Sequence, residues 1–255
     1  MSKGEGIMKD IYTQLCVESY EAAKLAEKLG FDSIEINSSL FLGGITPSYG
    51  VLRRIADEIS IEKIVMVRNR PAGFCYTEIE FEQMLNDLII ILEENIDGIA
   101  FGFLTNDFKI DVERTRKFVD LIHSKGKKAL FHRAYDNTVD PFEAIESLID
   151  LGIDYLLTSG QKETVFEGKE IIKEIIYKYG ESIDIIVGSG INANNAGELI
   201  EYTNTKFIHS SCKTYLEDVT TTGNVSYSLG GNMNNQYISI DENEARTLIN
   251  NIKNY

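Results

Sequence analysis

The run Ala129-Leu130-Phe131-His132-Arg133-Ala134-Tyr135-Asp136 passes abruptly from apolar side chains to an imidazole, a guanidinium and a carboxylate. A buried strand whose last residues face a pocket has this pattern. Similar endings recur: Glu35 follows Ser33-Ile34, Arg68 follows Ile64-Val65-Met66-Val67, Thr158 follows Tyr155-Leu156-Leu157, and His209 follows Lys206-Phe207-Ile208. The first strand offers Cys16 or Glu18. Side chains alternate along a strand, so the polar residue at each end is taken as pointing inward. A Glu, an Arg and two His at one mouth could pair a general base with a cation that stabilises developing negative charge. A structural ion-pair network filling the top of a barrel would use the same residue types. Glu35, Arg68, His132 and His209 are therefore the candidate catalytic set. Arg133 and Asp136 lie just past their strand, and parity turns Arg133 outward, toward an acid in the wall.

Two further stretches suit an anion. Gly188-Ser189-Gly190-Ile191-Asn192 and His209-Ser210-Ser211 follow the seventh and eighth strands, where barrels bind phosphate with backbone amides at a helix N-terminus. Tight turning and close helix packing would account for the glycines too. Arg70, Arg133, Asp136, Thr158, Gly188, Gly190, Ser210 and Ser211 make up the candidate ligand-binding set. For a metal, the soft donors are Cys16 and Cys212, near the ends of strands that become neighbours when a barrel closes. Two thiolates there would suit Cu(I), whereas a cysteine used as a small buried apolar residue needs no metal.

The elements that must position these groups alternate along the chain. Strand signals at Asp10–Val17, Ser33–Ile36, Ile64–Arg68, Asp97–Gly102, Lys128–His132, Tyr155–Thr158, Ile183–Val187 and Lys206–His209 are separated by helical patterns with recognisable caps. Ser19 opens a helix over Tyr20–Leu29 that Gly30 closes, and Thr77 with Glu80 forms a capping box. Thr46-Pro47 reads as an N-cap with proline at the first helical position, and so does Asp140-Pro141, with Glu143 reaching back as a capping-box residue. Eight such units predict parallel strands joined by right-handed crossovers, and a closed (β/α)8 TIM barrel as a single α/β domain over 10–255. Residues 1–9 read as a loose tail. Thr220 to Gln236 is polar and Asn/Gly-rich, a long loop over the mouth, and Glu242–Lys253 is a last helix that closes the ring.

Composition bounds the partners. The chain has 255 residues, 43% of them hydrophobic, enough for a full core. No apolar run approaches the ~20 residues that cross a bilayer, and the start has no secretory pattern. The three cysteines show no CxxC spacing, which fits reduced thiols in the cytoplasm. A formal net charge of −15 repels nucleic acid and anionic membranes. A small anionic molecule still fits, because a few Arg and His set the potential at one mouth.

Ile34-Glu35-Ile36, Gly43-Gly44-Ile45-Thr46-Pro47-Ser48, Arg68-Asn69-Arg70, Phe131-His132-Arg133-Ala134-Tyr135-Asp136, Leu157-Thr158-Ser159-Gly160 and His209-Ser210-Ser211 together resemble the copper homeostasis protein family CutC. The likeness runs from the first strand to about Thr214. It implies a cytoplasmic (β/α)8 barrel, a homo-oligomer, and a link to copper tolerance and Cu(I) binding. Cys16 matches the family's proposed copper-ligating cysteine, but the partner cysteine is replaced by Asn37, and the loop over Arg68–Tyr76 lacks the family's acidic residue. Two functions follow: a copper-handling protein using Cys16, helped by Cys212 or a histidine; or a barrel enzyme acting on a small anionic, possibly phosphorylated metabolite, with Glu35 or His132 as acid/base and Arg68 as anion clamp.

Overall fold

A computed structural model of the chain describes residues 11–221, 223–225 and 235–253. The tail at 1–9 and most of the loop between Thr220 and Gln236 lie outside these. In chain order the elements are β1 (Tyr12–Val17), α1 (Tyr20–Leu29), β2 (Ser33–Ile36), α2 (Tyr49–Glu58), β3 (Glu62–Met66), α3 (Glu78–Ile91), β4 (Gly98–Phe101) and α4 (Val112–Ser124). They continue with β5 (Lys128–Phe131), α5 (Pro141–Asp150), β6 (Tyr155–Thr158), α6 (Val165–Tyr179), β7 (Asp184–Gly188), α7 (Ala196–Thr203), β8 (Phe207–Ser210), β9 (Lys213–Glu217), β10 (Gln236–Ile240) and α8 (Glu242–Ile252). Strands β1 to β8 close into a parallel barrel, with β8 pairing back onto β1 in the register Gln14 opposite His209. The protein is a (β/α)8 TIM barrel, as the alternation of elements predicts.

Two apolar layers result from strand alternation. Ile64, Met66, Ala100, Leu130, Tyr155, Leu157 and Ile186 fill the barrel interior, with Phe207 against them. The opposite parity, including Leu15, Ile34, Ile36, Val65, Phe101 and Phe131, packs under the helices in a larger core. Ser19 and Thr77 cap α1 and α3 as expected, Thr77 and Glu80 reciprocally.

Two local expectations are corrected. Helix α2 starts at Tyr49 with Ser48 as N-cap. Thr46 instead spends its hydroxyl on the Arg68 backbone, donating to the carbonyl at 3.1 Å and accepting from the N–H at 2.9 Å. Asp140 caps α5 with Pro141 in its first turn, but Glu143 turns to Lys109, whose Nζ lies 3.1 Å away. After β8, β9 and β10 form an antiparallel pair that brackets residues 218–235. Among the described residues no helix is long and apolar enough to cross a membrane.

Candidate functional site

A cavity of about 730 Å³ opens at the C-terminal ends of the strands, lined by Cys16, Glu35, Asn37, His132, Arg133, Gly188, Gly190, His209, Ser210, Ser211 and Cys212 among others. Strand parity explains who reaches it. Cys16 is in register with Glu35, and Glu35 with Ile64 of the interior layer, so both polar groups look into the barrel. Glycines make room for the two imidazoles. A Cβ on Gly102 would stand 2.6 Å from the His132 ring, and one on Gly188 would stand 2.9 Å from Leu157 and 3.3 Å from His209.

Glu35 is buried and its Oε2 has no hydrogen-bond partner among the described residues. Burial lifts its carboxyl to about 7, with the Asn37 amide pulling the other way. The nearest imidazole nitrogen, Nδ1 of His209, lies 3.7 Å from that oxygen. It supplies no countercharge at neutral pH, because burial, reinforced by Arg133, lowers His209 to about 4. In the assigned amide orientation Gln14 Oε1 accepts from His209 Nδ1 at 2.8 Å, which leaves Nε2 as the acceptor.

His132 is the complement. Its Nδ1 accepts from the Ala134 backbone N–H at 3.1 Å, so the ring proton sits on Nε2. That Nε2 is buried without a partner among the described residues. Burial first, then the charges of Arg68 and Arg133, lower His132 to about 3, so it remains a neutral N–H donor throughout the physiological range. The mouth therefore holds a carboxyl poised between acid and base and an imidazole fixed as a donor.

The cations are placed differently from expectation. Arg68 is buried, but its guanidinium is bound by three carbonyls, those of Leu42 (3.1 Å), Gly44 (2.8 Å) and Ala72 (2.7 Å). It holds two loops, and among the described residues only its Nε lacks a partner, so the anion-clamp role is withdrawn from it. Arg70 pairs with Glu80 and stacks over Tyr76, outside the cavity. Arg133 and Lys213 both line the cavity, so Arg133 reaches the mouth despite its outward parity, while pairing with an acid as expected, here Asp136. The chain enters a 3₁₀ turn at Arg133, which breaks strand alternation. Its Nε donates to Asp136 at 2.8 Å and its Nη2 to Ser159 Oγ at 2.6 Å and the Lys162 carbonyl at 3.1 Å.

Asp136 is the clip that sets this arrangement. Besides Arg133 it accepts from Thr158 Oγ1 at 2.6 Å, Ser159 Oγ at 2.9 Å and the Gln161 N–H at 3.1 Å. Thr158 thus faces away from the interior, where Leu157 takes the inward position, and it acts on the cavity only through Asp136. Ser159 and Gln14 escape a reading of the sequence, since a serine in a loop and a glutamine in mid-strand carry no pattern of their own. The α7 end is also different. The N–H groups of Asn192 and Ala193 are taken by Asn195 Oδ1 and Glu244 Oε1, so a carboxylate already occupies part of the expected phosphate cradle. Ser210 is likewise engaged, donating to the Ile191 carbonyl at 2.8 Å.

The two thiols are buried and held protonated. Cys16 and Cys212 both line the cavity, but burial, and for Cys16 also the charge of Glu35, pushes their pKa values up, to about 11 for Cys212 and well above the usual range for Cys16. Cys16 Sγ accepts from Asn37 Nδ2 at 2.8 Å, the position where a second thiol would be needed. Among the described residues no three His, Cys, Asp or Glu side chains are grouped to hold an ion.

The sequence profile of the CutC family matches residues 11–214. The chain belongs to the CutC family. It is 41% identical over 224 residues to the family protein CutC of Treponema denticola, covering 88% of this chain and 90% of that one. The crystal structure of the putative copper homeostasis protein CutC from Streptococcus agalactiae superposes with a TM-score of 0.73 at 29% identity, covering 78% of this chain and 97% of the other. Phosphoribosylanthranilate isomerase of Thermotoga maritima matches at a TM-score of 0.57 and 14% identity, over 96% of this chain and 100% of that one, a likeness of barrel fold alone. The CutC match covers every strand of the barrel and both histidines of the mouth.

Proposed function

We propose that this CutC barrel is an acid–base enzyme acting on a small hydroxylated metabolite that carries one anionic group. One observation carries the proposal: Glu35 Oε2 and His132 Nε2, both buried and both without partners among the described residues, belong to side chains lining one cavity. A buried polar atom left unpaired costs on the order of 1–3 kcal/mol, and a protein retains two of opposite character on the wall of one cavity where a ligand satisfies them. Arg133, although paired with Asp136, is the guanidinium on the cavity wall and supplies the countercharge for the anion, and Asp241 and Glu244, each with one oxygen already accepting from a backbone N–H, have a second oxygen to accept from hydroxyls.

Copper homeostasis, the role that the streptococcal relative's name carries, extends to this chain as its physiological setting, in the cytoplasm. The site chemistry supports reaction of a metabolite there, not a resident Cu(I) ion. The test is thermal denaturation with phosphate and sulfate against chloride at matched ionic strength, since screening of the net charge stabilises the fold by itself. Phosphate should raise the melting temperature more than chloride, and Arg133→Ala should erase the difference. Chloride performing as well as phosphate would remove the anion from the proposal.

A further inference from the structure

We propose that the reaction is a 1,2-proton transfer, the interconversion of an α-hydroxy aldehyde and an α-hydroxy ketone through an enediolate. This rests on the acid–base reading of the mouth and goes further by naming the bond that is made and broken. Such a reaction needs a base that can take and return a proton near neutral pH, and a donor at the carbonyl oxygen that does not itself lose its proton. Glu35 answers the first need, a buried carboxyl with one oxygen free. His132 answers the second. The Ala134 N–H fixes its tautomer, and Arg68 and Arg133 oppose any positive charge on the ring. A neutral imidazole can polarise the carbonyl and hydrogen-bond the enediolate oxygen without adding a positive charge beside Arg68 and Arg133.

The step balances without a cofactor. Glu35 carboxylate takes the hydrogen from the carbon bearing the hydroxyl, and the C–H pair becomes the carbon–carbon double bond. The carbonyl π pair moves onto the oxygen, which accepts from His132 Nε2–H. Glu35 then returns the proton to the former carbonyl carbon, while the hydroxyl proton crosses between the two oxygens. Nothing is oxidised or reduced overall. A single carboxyl delivering on one face of a planar intermediate gives isomerisation. Epimerisation would need a second proton donor on the other face, and His209 carries its proton on Nδ1, where Gln14 holds it.

The experiment compares methyl phosphate, which offers only the anion, with 2-phosphoglycolohydroxamate, which adds a planar head shaped like the enediolate. Calorimetry of the full chain at pH 7 should find the hydroxamate at least about tenfold tighter, as a transition-state mimic is. His132→Phe should bring the two ligands within about twofold of each other while leaving methyl phosphate unchanged, and His132→Gln, which restores an N–H near Nε2, should recover part of the gain. Should His132→Phe not fold, Glu35→Gln serves: the ratio of hydroxamate to methyl phosphate affinity, in which the shared phosphate titration cancels, should vary with pH through about 7 in the native protein and lose that variation in the variant. Methyl phosphate binding with no gain for the hydroxamate overturns the isomerisation alone. Failure of both ligands to bind overturns the acid–base reading with it.

Discussion

Glu35 makes neutral pH costly for the fold, and the cost can be measured. A carboxyl whose folded value lies near 7 instead of 4.5 binds its proton more tightly folded than unfolded. Stability from this group is fully present below about 4.5 and is lost as pH rises through 7, where the native state must ionise a buried group or unfold. At 1.36 kcal/mol for each pH unit between the two values, the loss approaches ~3 kcal/mol above pH 7. Replacing Glu35 with Gln keeps the shape and removes the titration. The two histidines act in the opposite sense: His132 near 3 and His209 near 4 lower stability as pH falls below 6.5, because the unfolded chain protonates them first. Native stability alone therefore mixes the effects. The difference between Glu35→Gln and the native protein cancels the histidines and any change that does not depend on pH. Urea denaturation from pH 4.5 to 8 should give a difference that grows in favour of the variant by ~3 kcal/mol, or roughly 6–12 °C in melting temperature for a chain of this size. A difference that stays flat across the range, or that grows in favour of the native protein, would refute the raised carboxyl and with it the assignment of Glu35 as base.

Arg68→Ala should destabilise the fold by ~3–5 kcal/mol in urea, because it strands the carbonyls of Leu42, Gly44 and Ala72 that its guanidinium satisfies; a loss under ~1 kcal/mol would mean the loops hold without it. Asn37→Cys should create a Cu(I) site, since its side chain already lies 2.8 Å from Cys16 Sγ and a second soft donor there suits a low-coordinate ion. Competition with a Cu(I) chelator should show the variant at least about tenfold tighter than the native chain, and Cys16→Ser in the native chain should change nothing. A clear loss on Cys16→Ser would return the copper to Cys16.

The barrel is legible in the sequence because its signals are local and repeated. Capping residues such as Ser19, Thr77 and Asp140 punctuate helices whose spacing leaves room only for crossovers. Parity then brings Glu35, His132 and His209 to one cavity. It fails where alternation ends or where a side chain reaches further than a strand position implies. Arg133 sits in a 3₁₀ turn, so its direction follows from Asp136 and not from the strand. Arg68 has the inward position, yet its long side chain turns to carbonyls of loops, a set of acceptors that no residue type announces. Thr46 misleads for a related reason: a threonine before a proline is an N-cap by type, and here the strand end at Arg68 competes for the same hydroxyl.

That exchange of arginines bears on chemistry as well as on prediction. A guanidinium pointing at the reacting carbon would hold Glu35 ionised and spoil its ability to return a proton. With Arg68 turned to carbonyls and Arg133 tied to Asp136, burial remains the first cause of the Glu35 shift, opposed only by the Asn37 amide. The same two charges still reach the imidazole of His132 and help to keep it neutral. One arrangement of cations thus leaves a carboxyl free to titrate and an imidazole barred from doing so, which is the division of labour that a proton transfer between neighbouring carbons requires.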